Sequence, residues 1–221
     1  MKCSLNCVVR VAAALICVGS PALGQIVPKD AASPAEVKQA RGEFAARLNG
    51  ITFPTGKGWK AVMDQHRLFQ LMLPEKWKVT SAADDREAAL KATPPGADRA
   101  VLMVIVSAPR DTDPLEVSAD FAREYAETLA EEKELVRRQF KSTDGGLVSL
   151  RGMNFALAGG TMLGPRKKLY RQQQFIFIAD DRIVTQQFTC LAEDFPKFSE
   201  ELARVFCSYQ TLGMRVKTRD P

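Results

Sequence analysis

The sequence predicts an α/β fold: an α/β/α sandwich whose mostly antiparallel sheet is covered by helices on both faces. Three observations carry this. Arg67 to Leu73 and Val101 to Val106 are apolar on both alternating faces, so these strands need cover on two sides. Leu169 to Ala179 and Arg182 to Leu191 flank Asp180-Asp181 as a long hairpin, which makes neighbouring strands antiparallel. Amphipathic stretches after Asp113 and from Phe195 supply the covering helices.

Taken in order, residues 1–24 read as a secretory signal. Lys2 and Arg10 precede the apolar Val11 to Val18, and Ala22-Leu23-Gly24 offers the small residues signal peptidase needs before Gln25. The apolar run is shorter than the roughly 20 residues of a membrane span. Ile16 is too bulky for a lipoprotein signal at Cys17. Export to a bacterial periplasm or the extracellular space is expected, with no transmembrane segment after cleavage. The signal would remove Cys3, Cys7 and Cys17, leaving Cys190 and Cys207. It would also remove two of the 31 basic residues, leaving 29 against 26 acidic ones. That small excess, spread along the chain, argues against a nucleic-acid binder.

Residues 25–64 read as a leader, an amphipathic helix and a connector. Ser33 caps the helix, Pro34 fits its first turn, and Glu36 completes a capping box. Val37, Ala40, Phe44 and Leu48 form its apolar stripe, and Asn49-Gly50 ends it. Such a stripe either packs on the domain's own surface or docks a partner, which makes Val37, Phe44 and Leu48 candidate partner contacts. Pro54, Gly56 and Gly58 mark the connector.

The main domain spans residues 65–212. After the strand ending at Leu73, Trp77 opens another extended piece, and Ala88 to Thr93 pairs with Val101 to Val106 across Pro94-Pro95-Gly96. The longest helix is capped by Asp113 and starts on Pro114. Phe121, Ala122, Tyr125, Leu129, Val136 and Phe140 fall on one face, charges cover the other, and Asp144-Gly145-Gly146 stops it. Leu147 to Arg151 and Asn154 to Ala158 are short strands ahead of the long hairpin. The last helix buries Phe198, Leu202, Val205, Phe206 and Tyr209, and residues 213–221 form a polar tail.

Three features then identify a relationship: Phe69-Gln-Leu-Met-Leu-Pro-Glu-Lys-Trp77, the long helix from Asp113, and the closing helix with its Phe206-Cys-Ser-Tyr209 ending. Over roughly residues 65–212 the chain resembles the PsbP superfamily, which includes photosystem extrinsic subunits and small bacterial envelope proteins such as DcrB. The resemblance implies a PsbP-like α/β domain of a mostly non-catalytic group. It transfers no ligand or binding residue, since none matches position by position.

The chemistry in the chain is sparse. His66 is the single histidine, without a Gly-x-Ser-x-Gly elbow or a nucleophilic cysteine motif. One histidine and two distant cysteines do not make a zinc site. Gly159 to Gly164 has the opening spacing of a phosphate loop, but Pro165 and Arg166 stand where Lys and Ser/Thr are required. No cofactor is called for. Arg166, Lys167 and Lys168 form the one compact basic cluster, suited to an acidic partner or anionic headgroups, or simply an exposed strand start. A helix of about a dozen residues carries the chain about 18 Å between Cys190 and Cys207, whereas a disulfide needs Cα atoms within about 7 Å. Two buried thiols are therefore favoured over a bond. The reading is an exported, non-catalytic module acting through contacts with an unidentified envelope protein. The alternatives are a small-ligand or lipid binder, and less so a hydrolase using His66.

Overall fold

The computed structural model describes residues 36–37, 41–54, 56–64, 69–84, 87–97, 99–106, 119–150, 153–179 and 182–211. The signal, the Ser33 cap, His66, the start of the long helix, the Asp180-Asp181 turn and the polar tail lie outside them.

The first described element is a short strand, β1 (Glu36–Val37), and then comes a single helical turn and a half, α1 (Glu43–Leu48). The helix expected from Pro34 is therefore corrected: Glu36 and Val37 pair with Ser149 and Val148 at a sheet edge. Gly42, at φ 112°, makes the turn into α1. The expected connector also holds a strand, β2 (Trp59–Met63), which pairs with β3 (Phe69–Pro74). The Lys60 ammonium fixes this corner by donating to the Glu75 and Trp77 carbonyls at 3.0 and 2.7 Å.

Strands β4 (Lys78–Asp84), β5 (Glu87–Thr93) and β6 (Val101–Val106) form a meander. Along β6, Leu102, Val104 and Val106 are buried, while Val101, Met103 and Ile105 are only half-buried. The long helix is split into α2 (Ala119–Glu131) and α3 (Lys133–Arg137), because the Glu132 carboxylate accepts the Leu135 N–H at 3.0 Å and restarts the helix. Val136 accordingly leaves the apolar face and is 58% exposed.

The Asp144-Gly145-Gly146 run, read as a helix stop, lies inside strand β7 (Lys141–Leu150). It pairs with β8 (Met153–Leu163), a strand longer than expected, past a β-bulge between Ser142 and Asp144. Gly159 and Gly160 belong to β8, where added methyls would overlap the Gln173 amide and the Phe140 ring. The hairpin β9 (Leu169–Ala179) and β10 (Arg182–Leu191), the helix α4 (Phe195–Cys207) and β11 (Gln210–Thr211) complete the chain.

Among the described residues there are two antiparallel sheets, ordered β1-β7-β8-β9-β10-β6-β5-β4 and β11-β3-β2. Strand alternation sends residues to two cores. Ala122, Tyr125 and Leu129 of α2 cover Leu147, Ala156, Ala158, Met162, Ile176 and Ile183 on one face. On the other face Phe155, Phe175, Phe177 and Phe188 meet Phe44 of α1, Leu202 and Phe206 of α4, Trp77 from the turn after β3, and Tyr209 just before β11. Rings there stack face to face: Phe155 on Phe175 at 4.6 Å and Phe175 on Phe206 at 5.3 Å.

One polar node sits in the aromatic layer. The Asp144 carboxylate accepts the N–H groups of Phe44 and Ala45 at 2.9 and 3.3 Å, replacing the cap that Gly42 cannot supply. It also pairs with Arg171, whose guanidinium lies 4.9 Å above the Phe195 ring. Arg171 donates on to the Gln173 amide at 3.3 Å. On the α2 face, the Tyr125 hydroxyl donates to Gln174 at 2.6 Å, and Gln174 donates to Gln187 at 2.9 Å.

Two stability predictions arise here. Asp144→Ala leaves Arg171 without its partner and two helix amides without an acceptor, so it should cost about 3–5 kcal/mol. Gly42→Ala should cost about 1–3 kcal/mol, because the methyl overlaps Asp144 and the backbone must hold a positive φ. Chemical denaturation of both variants checks this; wild-type stability in Asp144→Ala would refute the node. The second concerns alkali. Burial pushes the Cys190 thiol from 9.0 to about 12, aided by Asp194 and opposed by Arg171, and burial raises the Tyr125 phenol as well. Both are kept neutral by the fold and ionise more easily unfolded. The Cys190 contribution is complete below pH 9.0 and is lost as pH rises toward about 12, while that of Tyr125 begins to fall only above pH 10.0. Denaturation measured at stepped alkaline pH should show this fall, and Cys190→Ala with Tyr125→Phe should flatten it.

Candidate functional site

The best-defined candidate site is the turn between β8 and β9. Leu163 and Leu169 are the last paired residues, and five residues close the loop. The Gly164 N–H donates to the Lys168 carbonyl at 2.8 Å, and the Lys168 N–H to the Pro165 carbonyl at 3.4 Å. Gly164 is required because a methyl there would run into the Tyr170 ring. Pro165 fixes the entry to a short 3₁₀ turn. The next two residues are left-handed: Arg166 at φ 59° and Lys167 at φ 56°.

Two consecutive non-glycine residues in that region cost about 1–2 kcal/mol each. Their side chains recover nothing by burial, since Arg166, Lys167 and Lys168 are all exposed. The base of the turn is held on both sides. The Leu163 N–H donates to the Arg138 carbonyl at 2.7 Å, and the Ala192 N–H donates to the Leu169 carbonyl at 3.0 Å. The result is a hydrogen-bonded, exposed turn with three adjacent cations, chemically suited to meet negative charge.

The other candidates are placed differently. Phe44 and Leu48 are buried in the protein's own core, with Phe44 5.6 Å from Phe195 and 5.8 Å from Phe206. Of the two readings of that stripe, self-packing is the one the structure supports, and these side chains are not available to a partner. Val37 lies in the edge strand β1. His66 lies outside the described residues. Cys190 and Cys207 are both buried as reduced thiols in the same aromatic core. Among the described residues, no three His, Cys, Asp or Glu side chains gather to hold a metal ion.

Sequence reasoning missed the Asp144–Arg171 node and the amide belt of Gln172, Gln174 and Gln187. A signal was present for the belt: five glutamines fall in two adjacent strand segments, Gln172 to Gln174 and Gln186 to Gln187. Gln173 and Gln186 face the aromatic core instead, both fully buried, and among the described residues neither amide atom of Gln186 is hydrogen-bonded. The exposure of Leu169 beside the tip, 49%, was also unforeseen.

No family model matches the chain. No curated protein matches it either. Solved structures do. Cyanobacterial PsbP (CyanoP) from Synechocystis sp. PCC 6803 superposes with a TM-score of 0.53 at 11% identity, over 72% of this chain and 97% of that one. A Pseudomonas aeruginosa protein of unknown function, a putative regulator, gives a TM-score of 0.43 at 17% identity, covering 68% and 94% of the two chains. LpqN of Mycobacterium tuberculosis, involved in cell envelope biogenesis, gives 0.35 at 14% identity, covering 73% and 82%. With the antiparallel sheet, the α2 cover and the aromatic α4 closure already in place, the match to CyanoP shows that this chain has a PsbP-like fold.

Proposed function

We propose that the protein is an exported, non-catalytic PsbP-like module that acts by binding a partner protein in the cell envelope, with Arg166, Lys167 and Lys168 as its contact. The observation that carries this is the strained cationic turn. Glycine or asparagine would hold left-handed positions at lower cost, yet arginine and lysine occupy them with exposed side chains. Backbone strain kept at a surface point, with no internal contact to offset it, is the mark of a positioned binding group. Fixing the cations beforehand also lowers the ordering cost when an acidic surface arrives. The fold supports the non-catalytic part, because the superfamily it resembles acts mostly without chemistry of its own. Export rests on the signal-like residues 1–24.

A photo-crosslinking residue at position 168 of the full chain, expressed in its native envelope, tests the contact. Reproducible capture of a specific partner is expected. Replacing Arg166 and Lys167 by glycine should abolish capture with no loss of thermal stability, because glycine relaxes the turn. Capture that is indifferent to these two side chains would refute the proposal.

A further inference from the structure

We infer that the basic tip is one part of a wider docking surface, and that this surface takes an acidic protein segment carrying a bulky apolar residue. The inference rests on the contact role given to the tip above. Among the described residues, the exposed large apolar side chains are Val136, at 58%, and Leu169, at 49%. Both belong to the same end of the sheet. Leu169 follows the tip directly. Val136 lies in α3, and the hydrogen bond from the Leu163 N–H to the Arg138 carbonyl, 2.7 Å, brings the end of α3 against the base of the hairpin. Lys141, exposed at the start of β7, pairs in register with Thr161 just before the tip. This end of the sheet therefore carries Arg166, Lys167, Lys168 and Lys141 together with two exposed apolar groups.

Charge on the opposite side gives the surface a direction. The Ala192 N–H ties β10 to Leu169, and the next residues are the exposed Glu193 and then Asp194, which is taken by Lys197 at 2.6 Å. The positive charge thus sits on the tip and Lys141, and the negative on Glu193 after β10. An incoming acidic segment is repelled on one flank and attracted on the other, which sets its orientation. The exposed leucine and valine at this end offer what simple charge pairing lacks, a small dry contact for an apolar anchor.

A protein segment fits this corner better than a bilayer. Two left-handed residues fix where the tip side chains start, and a fixed geometry benefits only a partner with fixed geometry. A fluid anionic surface asks for charge and apolar depth, and a few cations with one leucine and one valine give only weak, reversible attachment.

The test uses the mature chain, residues 25–221, and fluorescence anisotropy with short labelled peptides rich in Asp and Glu. One peptide carries a central leucine and its control has serine there; vesicles of phosphatidylcholine with phosphatidylglycerol are the third probe. The leucine peptide should bind in a salt-sensitive way. Affinity should drop roughly tenfold for the serine peptide, and similarly for the Val136→Ser, Leu169→Ser double variant, which alters only exposed groups. Equal affinity for both peptides, an unaffected double variant, or vesicle binding without peptide binding would each overturn the inference. If partner capture needs Arg166 and Lys167 but survives the double variant, the contact role of the tip stands and the wider surface fails. Loss of capture in neither variant removes both readings.

Discussion

The Asp144 carboxylate is the point on which three parts of this structure depend. It lies in the first edge-proximal strand of the sheet, yet it supplies the missing acceptor for the first amides of α1 and the counter-charge for Arg171. Arg171 in turn covers Phe195 at the start of α4. One side chain thus joins the N-terminal helix, the central sheet and the closing helix. Its side chain is fully buried while that of Arg171 is 12% exposed, so each charge relies on the other and on the amides around it. Such a node adds little net stability over an apolar one of the same shape, but it is intolerant of partial loss. What it contributes is placement: α1 has six residues and would not persist alone.

Much of the fold was legible in the sequence. The hairpin of β9 and β10, the strand β6 and the helix α4 follow from periodicity and flanking residues, and the structure has them at Leu169–Ala179, Arg182–Leu191, Val101–Val106 and Phe195–Cys207. The failures have one physical cause, which is that local signals were overruled by pairing with distant residues. Ser33 to Glu36 looks like a helix start, but Glu36 and Val37 are claimed by the free edge of β7. Asp144-Gly145-Gly146 looks like a helix stop, but the aspartate is needed at another helix and Gly145 bonds Arg41 across the sheet. Trp59 to Met63 follows a glycine-rich segment and takes its strand form only from β3.

The candidate site was half legible. Three adjacent cations stand out in any composition scan, and the glycine ahead of them suggests a turn. The positive φ values of Arg166 and Lys167 could not be read, because neither residue type favours them. The exposure of Val136 was equally hidden. It depends on Glu132 interrupting a helix that is continuous in its periodicity. Surface chemistry of this kind arises where the chain departs from its regular pattern, so pattern reading is blindest there.

The aromatic layer has a bearing on when the chain can fold. Phe44, Phe69 and Trp77, all early in the chain, are closed over by Phe206 and Tyr209 near its end, with Phe69 stacked on Tyr209 at 5.5 Å. Strand β11 then seals β3 by pairing Gln210 with Gln70. No N-terminal portion can bury these rings by itself, so a chain still emerging from the ribosome holds its aromatic face open. Assembly waits for the last thirty or so residues, and loop closure over that span makes it slow.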